Sequence, residues 1–557
     1  MVSEQLRCTI LVLVCSGLAI LAVSCADDPR PDASQSEKTA SVNKYGGVYR
    51  KPLWDEPLTL DPALITSTYD TFVAQQVFDG LVQFDADLNV IPSVASSWSA
   101  SYDGLTWTFH LRKGVKFHSG REVTARDFVY SFTRLLDPQT RSPRTWLLER
   151  VQGARAFLAG AAEQVTGLRA LDNYTLQIIL SQPYAPFITL LGMVQAKVVP
   201  REEVERLGPQ FGHQPIGTGP FQFVNWVTGE GITLQANEEY FEGRPFLDRL
   251  HYQIFPAHDL QAGLAVFEQG HLEDTKIPAQ DRQRLLNNPR YHFFRKPILT
   301  TLLLWINMRH APLSNLKVRQ AINYAVNHNA INSLIRQNRF VQARGILPPG
   351  MPGYNPDLPG YEHNLRRARQ LLAEAGYPEG KGLPPLELWS SVVSPEARAE
   401  HEAVRRDLLH IGITVELRTA ESWKHFKAEI LGKRPRALYR SAWYADFPDP
   451  DNFLFPLFHS QSANNYANYS NPEVDRLLEQ AQREVDELKR LQLYRQAEAL
   501  IMADAPTVNL VYYTFEHLFQ PYVRGIELNA LGERYIPMKK IWLDKAHHAF
   551  PRAAQAK

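Results

Sequence analysis

The segment Tyr439-Arg440-Ser441-Ala442-Trp443-Tyr444-Ala445-Asp446-Phe447-Pro448-Asp449-Pro450-Asp451-Asn452-Phe453 holds a guanidinium, an indole and carboxylates within a short reach. The chemistry open to such a set is charge recognition. Its first half is apolar and aromatic around one arginine, the pattern of a strand with few solvent-facing positions, and two prolines spaced by an aspartate then stop it. The strand is expected to end in a turn at Asp446. There a carboxylate beside Trp443 and Phe447 can meet a cation with little water around it, where a charge-assisted hydrogen bond strengthens. An aspartate that caps its own turn fits the same residues.

Patterns for other chemistry are missing from the sequence. It contains no His-Glu-x-x-His, no Gly-x-Ser-x-Gly and no paired Cys-x-x-Cys, and Asp449-Pro450-Asp451 lacks the glycine and distal glutamate of an EF-hand loop. Pro215-Ile216-Gly217-Thr218-Gly219-Pro220 has no closing lysine and hydroxyl, so it is a turn into a strand rather than a phosphate loop. Gly376 to Gly382 is one residue short of that loop and reads as a helix end. Neither catalytic residues, a metal site nor a cofactor is expected. With 60 basic and 59 acidic side chains and a net charge of +1, charge gives no argument for nucleic acid as the partner.

A chain of 557 residues is long enough for three lobes at about 100–200 residues each. Arg7 and the apolar run from Ile10 to Val23 read as a signal peptide, too short to anchor across a core of ~30 Å. Ala22-Val23-Ser24-Cys25 resembles a bacterial lipobox with alanine in the first place, which makes Cys25 the lipidated residue. The three cysteines are Cys8, Cys15 and Cys25, so disulfides cannot staple the exported part. Ala26 to Val42, rich in Asp, Ser, Pro and Lys, is expected to be a tether.

Further on, Tyr45 to Arg50 predicts a strand, Tyr69 to Phe78 a helix, and Thr106 to Leu111 a half-buried strand by period-two alternation. Thr124-Ala125-Arg126-Asp127 predicts a capping box opening a helix with Phe128, Val129, Phe132, Leu135 and Leu136 behind it. Leu302 to Asn307 and Val508 to Tyr513 predict buried strands, Val318 to Val326 and Leu365 to Ala375 helices. Asn471-Pro472 predicts the start of one long helix whose inner stripe is Val474, Leu477, Leu478, Ala481, Val485 and Leu488.

Trp443-x-Ala445-Asp446 followed by Asp449-Pro450-x-x-Phe453 resembles the ligand-anchoring segment of the extracytoplasmic solute-binding proteins of family 5, the oligopeptide- and dipeptide-binding lipoproteins of ABC importers. Gly104-Leu105-Thr106-Trp107 and Arg112-Lys113-Gly114-Val115-Lys116-Phe117 are similar to that family's N-terminal signature. The resemblance implies an α/β, periplasmic-binding-protein-like, two-lobed hinge fold of type II with an additional inserted subdomain. It also implies that Asp446 holds the ligand's α-ammonium, that Arg440 meets its C-terminal carboxylate, and that Trp423 walls a side-chain pocket. Trp443, Tyr444 and Tyr512 complete the expected binding set. Where some oligopeptide binders carry a second arginine, this chain has Ile430, with Lys433 and Arg434 nearby.

The expected organisation is a signal peptide over 1–24, a lipidated tether over 25–43, a first lobe from 44–80, 211–304 and 511–557, an inserted small domain over 81–210, and a second lobe over 305–510. On this reading the protein is a monomer, lipid-anchored in the periplasm or at the cell surface, that captures peptides and passes them to an ABC permease. A non-peptide solute such as a nickel complex, haem or a sugar, and a surface interaction or chaperone role, are the alternatives. A secreted hydrolase lacks a recognisable nucleophile and base.

Overall fold

Two long strands, His292–Ile306 and Thr507–Phe519, run antiparallel side by side and determine the architecture. They contain the two buried strands expected from sequence, which pair with each other: Leu302 lies opposite Val511 and Leu304 opposite Val508. At one end Phe515 and Phe519 pack into a core with Tyr49, Phe72, Phe78 and Tyr252. At the other end Leu302, Leu304, Val508 and Val511 pack with Val318, Ile322, Leu371 and Leu388. Both strands therefore pass from one core into another.

The computed structural model describes residues 43–432 and 436–544. The expected signal peptide, Cys25 and the tether to Val42, together with Lys433 and Arg434, lie outside the described residues. In the described part the large sheet runs Asp274–Lys276, Thr507–Phe519, His292–Ile306, Leu438–Tyr444, Leu386–Ser390, Val415–Thr419, with Val341–Gln342 added beside Thr507–Phe519. A second sheet joins Val48–Leu53 to Arg249–Ile254, Gly231–Ala236 and Phe221–Val227. A third joins Ala95–Ala100, Thr106–Leu111, Thr175–Ile179 and Leu168–Ala170, and its residues share a core that spans Leu81 to Val198 and takes in Phe447.

Local signals become local structure for identifiable reasons. Thr106–Leu111 alternates because Trp107, Phe109 and Leu111 face a core while His110 is exposed. The Asp127 carboxylate accepts from the Thr124 N–H at 2.8 Å and from its hydroxyl at 2.9 Å, opening the helix Ala125–Leu136 as the capping box requires. One expectation fails. Val474, Leu477, Leu478 and Ala481 are buried in Pro472–Arg483, but the helix stops at Glu484, and Asp486 caps a second helix, Glu487–Asp504, by accepting from Lys489 N–H. Val485 and Leu488 are exposed there, because the Asp486 carboxylate accepts from a backbone N–H and so competes with continued helix. No helix among the described residues is long and apolar enough to cross a membrane.

Candidate functional site

The ladder between the two long strands breaks where they leave one core for the other. Pro297 pairs with Thr514 and Thr301 with Tyr512, so Ile298, Leu299 and Thr300 stand against Tyr513 alone. A proline has no N–H for the ladder, and a bulge there bends the strand. The freed backbone groups are satisfied elsewhere: Leu299 donates to the Ala530 carbonyl at 2.7 Å and accepts from Ala445 N–H at 2.8 Å. A cavity of about 360 Å³ lies on this break. Aromatic rings from both sides of the break line it, Tyr69 and Phe72 with Phe340, Tyr444 and Tyr513, beside the charged Lys276, Arg339 and Arg534.

Asp446 follows the cavity-lining Tyr444 by two residues, and Arg534 donates to the intervening Ala445 carbonyl at 2.6 Å. The strand Leu438–Tyr444 ends just before it, as the prolines predict. Asn452 shapes the turn, its side-chain oxygen accepting from Asp446 N–H at 2.8 Å and its carbonyl from the Trp443 indole at 2.8 Å. The capping carboxylate is Asp449, which accepts from Asp451 N–H. The Asp446 carboxylate makes no hydrogen bond among the described residues, is 28% exposed, and has Arg144 at 3.8 Å. Burial, with the Asp446 charge adding to it, pushes the neighbouring Tyr535 phenol up to about 12.

The other expected residues separate. Tyr444 lines the cavity, whereas Trp443, half-buried, braces the turn. Arg440 does not line the cavity: it is 6% exposed and its Nε sits 3.0 Å from Glu400, whose other oxygen takes Arg336 at 2.7 Å. Burial pushes the Glu400 carboxyl up, but the two guanidiniums outweigh it and hold it low. Tyr512 is fully buried, its hydroxyl donating to the Gly345 carbonyl and accepting from Gly345 N–H, both at 3.0 Å. Tyr513, one residue on and therefore on the opposite face of the strand, is the ring that reaches the cavity. Trp423 is exposed at the start of Trp423–Ile430, stacked on Phe426, and does not line the cavity.

Sequence reasoning missed Arg144, Arg339, Arg534 and Tyr513. The three arginines come from loops or short helical turns with no pattern of their own. Sequence reasoning also passed over Asp274, His517 and Glu533, whose ligand atoms lie within 4.8 Å of one another. Lys51 stands 2.7 Å from Asp274, and Lys276 2.9 Å from Glu533, so a divalent cation entering there would have to displace two ammonium groups. Burial raises the Glu533 carboxyl, yet Lys276, His517 and Lys51 hold it well below the usual range. This is a buried ion-pair network on the cavity wall.

Comparison with known proteins identifies the family and the fold. The family model for bacterial extracellular solute-binding proteins, family 5 middle region, matches residues 89–465. Heme-binding protein A of Haemophilus influenzae is 31% identical, over 94% of this chain and 97% of that protein, and the dipeptide-binding protein of Escherichia coli is 30% identical, over 86% and 92%. Among solved structures, HbpA2 from Haemophilus parasuis has a TM-score of 0.79 at 29% identity, covering 89% of this chain and 100% of that one. DppA from Helicobacter pylori in complex with the peptide STSA has a TM-score of 0.75 at 28% identity, covering 90% and 99%. The fold is the two-lobed, type II periplasmic-binding-protein fold, and the chain belongs to the bacterial extracellular solute-binding proteins of family 5.

Proposed function

We propose that this protein is a receptor that captures short peptides between its two lobes and presents them to an ABC permease. The observation that carries the reading is the partly buried Asp446 carboxylate, which makes no hydrogen bond among the described residues and faces only Arg144 at 3.8 Å; it is not itself in the cavity lining but lies two residues beyond the lining Tyr444. A peptide's α-ammonium is a fixed cation that such a carboxylate complements, and the rings accept varied side chains by stacking and apolar contact. Relatives named for dipeptide and oligopeptide binding support the class. In this reading the first lobe comprises 44–80, 211–304 and 511–557, the inserted domain 81–210 and the second lobe 305–510, and the lobes close about the bulged strands. Cys25 carries the lipid that holds the receptor to the membrane, and the receptor works as a monomer.

A porphyrin is the second reading, favoured by the name of the Haemophilus influenzae relative and by the aromatic wall. The histidine of that wall, His517, is committed at Nδ1 to Asp274 at 3.2 Å, and its Nε2 faces the Glu533 carboxylate at 2.9 Å, so an iron would have to displace that carboxylate. Calorimetric titration with di-, tri- and tetrapeptides, each free and N-acetylated, together with haemin, tests both readings. Tight binding of free peptides and weak binding of acetylated ones is expected. Haemin binding without peptide binding would replace the first reading by the second.

A further inference from the structure

Charge on the cavity wall does not balance, and the largest surplus lies around Glu516. Glu516, on Thr507–Phe519 and with its side chain fully buried, is approached by three guanidiniums. Arg282 takes it bidentately at 2.9 and 2.8 Å, which occupies the carboxylate in the strongest geometry available to it. Arg295 and Arg339 remain at 3.5 and 3.4 Å, too loosely placed for good hydrogen bonds. The neighbouring charges do not make up the difference, since Arg336 and Arg440 are matched by Glu396 and Glu400. Lys51 and Lys276 are likewise matched by Asp274 and Glu533.

Of the two surplus guanidiniums, Arg295 is 40% exposed and screened by water, and it donates to the Asn338 and Arg339 carbonyls. Arg339 is different. Its side chain is 20% exposed and lines the cavity, and its Nε–H is buried without a hydrogen-bond acceptor among the described residues. One Nη2 donates to the Ile277 carbonyl at a long 3.3 Å. A buried donor left without a partner is costly, and the surrounding positive charge adds to that cost. Arg534, which lines the same cavity, has a backbone carbonyl but no carboxylate partner among the described residues. Burial lowers the Arg339 guanidinium from its ordinary value, opposed by Glu516 and Glu396, with Arg282 and Arg336 adding to the lowering.

We propose that Arg339 receives a carboxylate of the bound ligand, completing the charge of the Glu516 cluster, and that this residue rather than Arg440 sets the receptor's demand for an anionic ligand group. The proposal rests on the cavity being the ligand site. Two sources offer the chemistry, the C-terminus of a peptide and the propionates of a porphyrin. In either case the carboxylate meets a planar fork of donors already desolvated by the protein.

The test measures, by calorimetry, tri-alanine as free acid and as C-terminal amide on wild type, Arg339→Gln, Arg339→Lys and Arg534→Gln, with thermal melting to establish that each variant is folded. Amidation is expected to weaken wild-type binding about 10- to 100-fold, to matter less than about 3-fold in Arg339→Gln, and to regain most of its effect in Arg339→Lys. Equal binding of acid and amide by wild type, or a full amide penalty in folded Arg339→Gln, overturns the proposal while leaving the peptide reading intact. If tri-alanine does not bind at all, the peptide reading fails instead, and haemin against its dimethyl ester takes the same role. A diester that binds wild type as well as the diacid, or failure of both free acids to bind, overturns the assignment of Arg339.

Discussion

Tyr184 donates a 2.6 Å hydrogen bond to Asp451, joining the core that spans Leu81 to Val198 to the turn that carries Asp446. Asp451 is buried and also accepts from Gln482 at 2.9 Å and Tyr494 at 3.1 Å. Next to it Ala185 N–H donates to the Gln482 carbonyl at 2.8 Å, and Arg150 lies 3.9 Å over the Tyr184 ring. These groups come from parts of the chain assigned above to the inserted domain and the second lobe, so the contact exists only while the two are together.

Tyr184→Phe should therefore loosen the contact between the inserted domain and the second lobe without touching the cavity. The lost charge-assisted bond is worth about 1.5–3 kcal/mol, so peptide affinity should fall roughly 10- to 100-fold. Small-angle scattering of the unliganded variant should give a larger radius of gyration than wild type. Unchanged affinity and unchanged size would mean the contact persists in the open state.

For Asp446 the expectation is a coupled loss. Removing one member of a buried charge pair costs about 2–5 kcal/mol, so Asp446→Ala should weaken peptide binding by roughly 30-fold to several thousand-fold. N-acetylation should weaken wild-type binding comparably and matter far less to the variant. A full acetylation penalty in folded Asp446→Ala protein would move the ammonium anchor elsewhere.

Arg440 should behave as a structural residue. Arg440→Met leaves buried Glu400 with Arg336 alone, at a stability cost of about 3 kcal/mol. The ratio of free-acid to amide affinities should stay at the wild-type value. Collapse of that ratio, measured by the same calorimetry, would return carboxylate capture to Arg440.

Glu498 makes stability depend on pH. It is 1% exposed, and burial raises its carboxyl to about 7, opposed by the N–H groups of Leu347 and Ile346, which donate at 2.9 and 2.7 Å. Its other oxygen has no hydrogen-bond partner among the described residues. Because the folded value is the higher one, the folded state binds the proton more tightly. This contribution is complete below about 4.5, declines as pH rises, and is lost above about 7, for a total of about 3 kcal/mol. Glu498→Gln keeps the acceptor for both N–H groups and should flatten the fall of melting temperature across that window. Parallel curves for variant and wild type would rule Glu498 out as the source.

How much the sequence determined differs between backbone and charge. Period-two burial, the Thr124–Asp127 capping box and the prolines after Asp446 act within a few residues, so the strands, the helix at Ala125 and the turn at Asp446 follow from local sterics and hydrogen bonding. The helix after Asn471 shows where that stops, since Asp486 offered a cap that the apolar stripe concealed. Tyr512 and Tyr513 both sit in a strand apolar on both faces, where alternation cannot say which ring meets the cavity; the register against His292–Ile306 decided it. Arg440 and Glu400 are 40 residues apart, and Arg282, Arg295, Arg339 and Glu516 come from four separate stretches. A guanidinium's role depends on which carboxylate reaches it first, and only the tertiary structure brings those partners within a few ångströms, the range over which desolvated charges select each other.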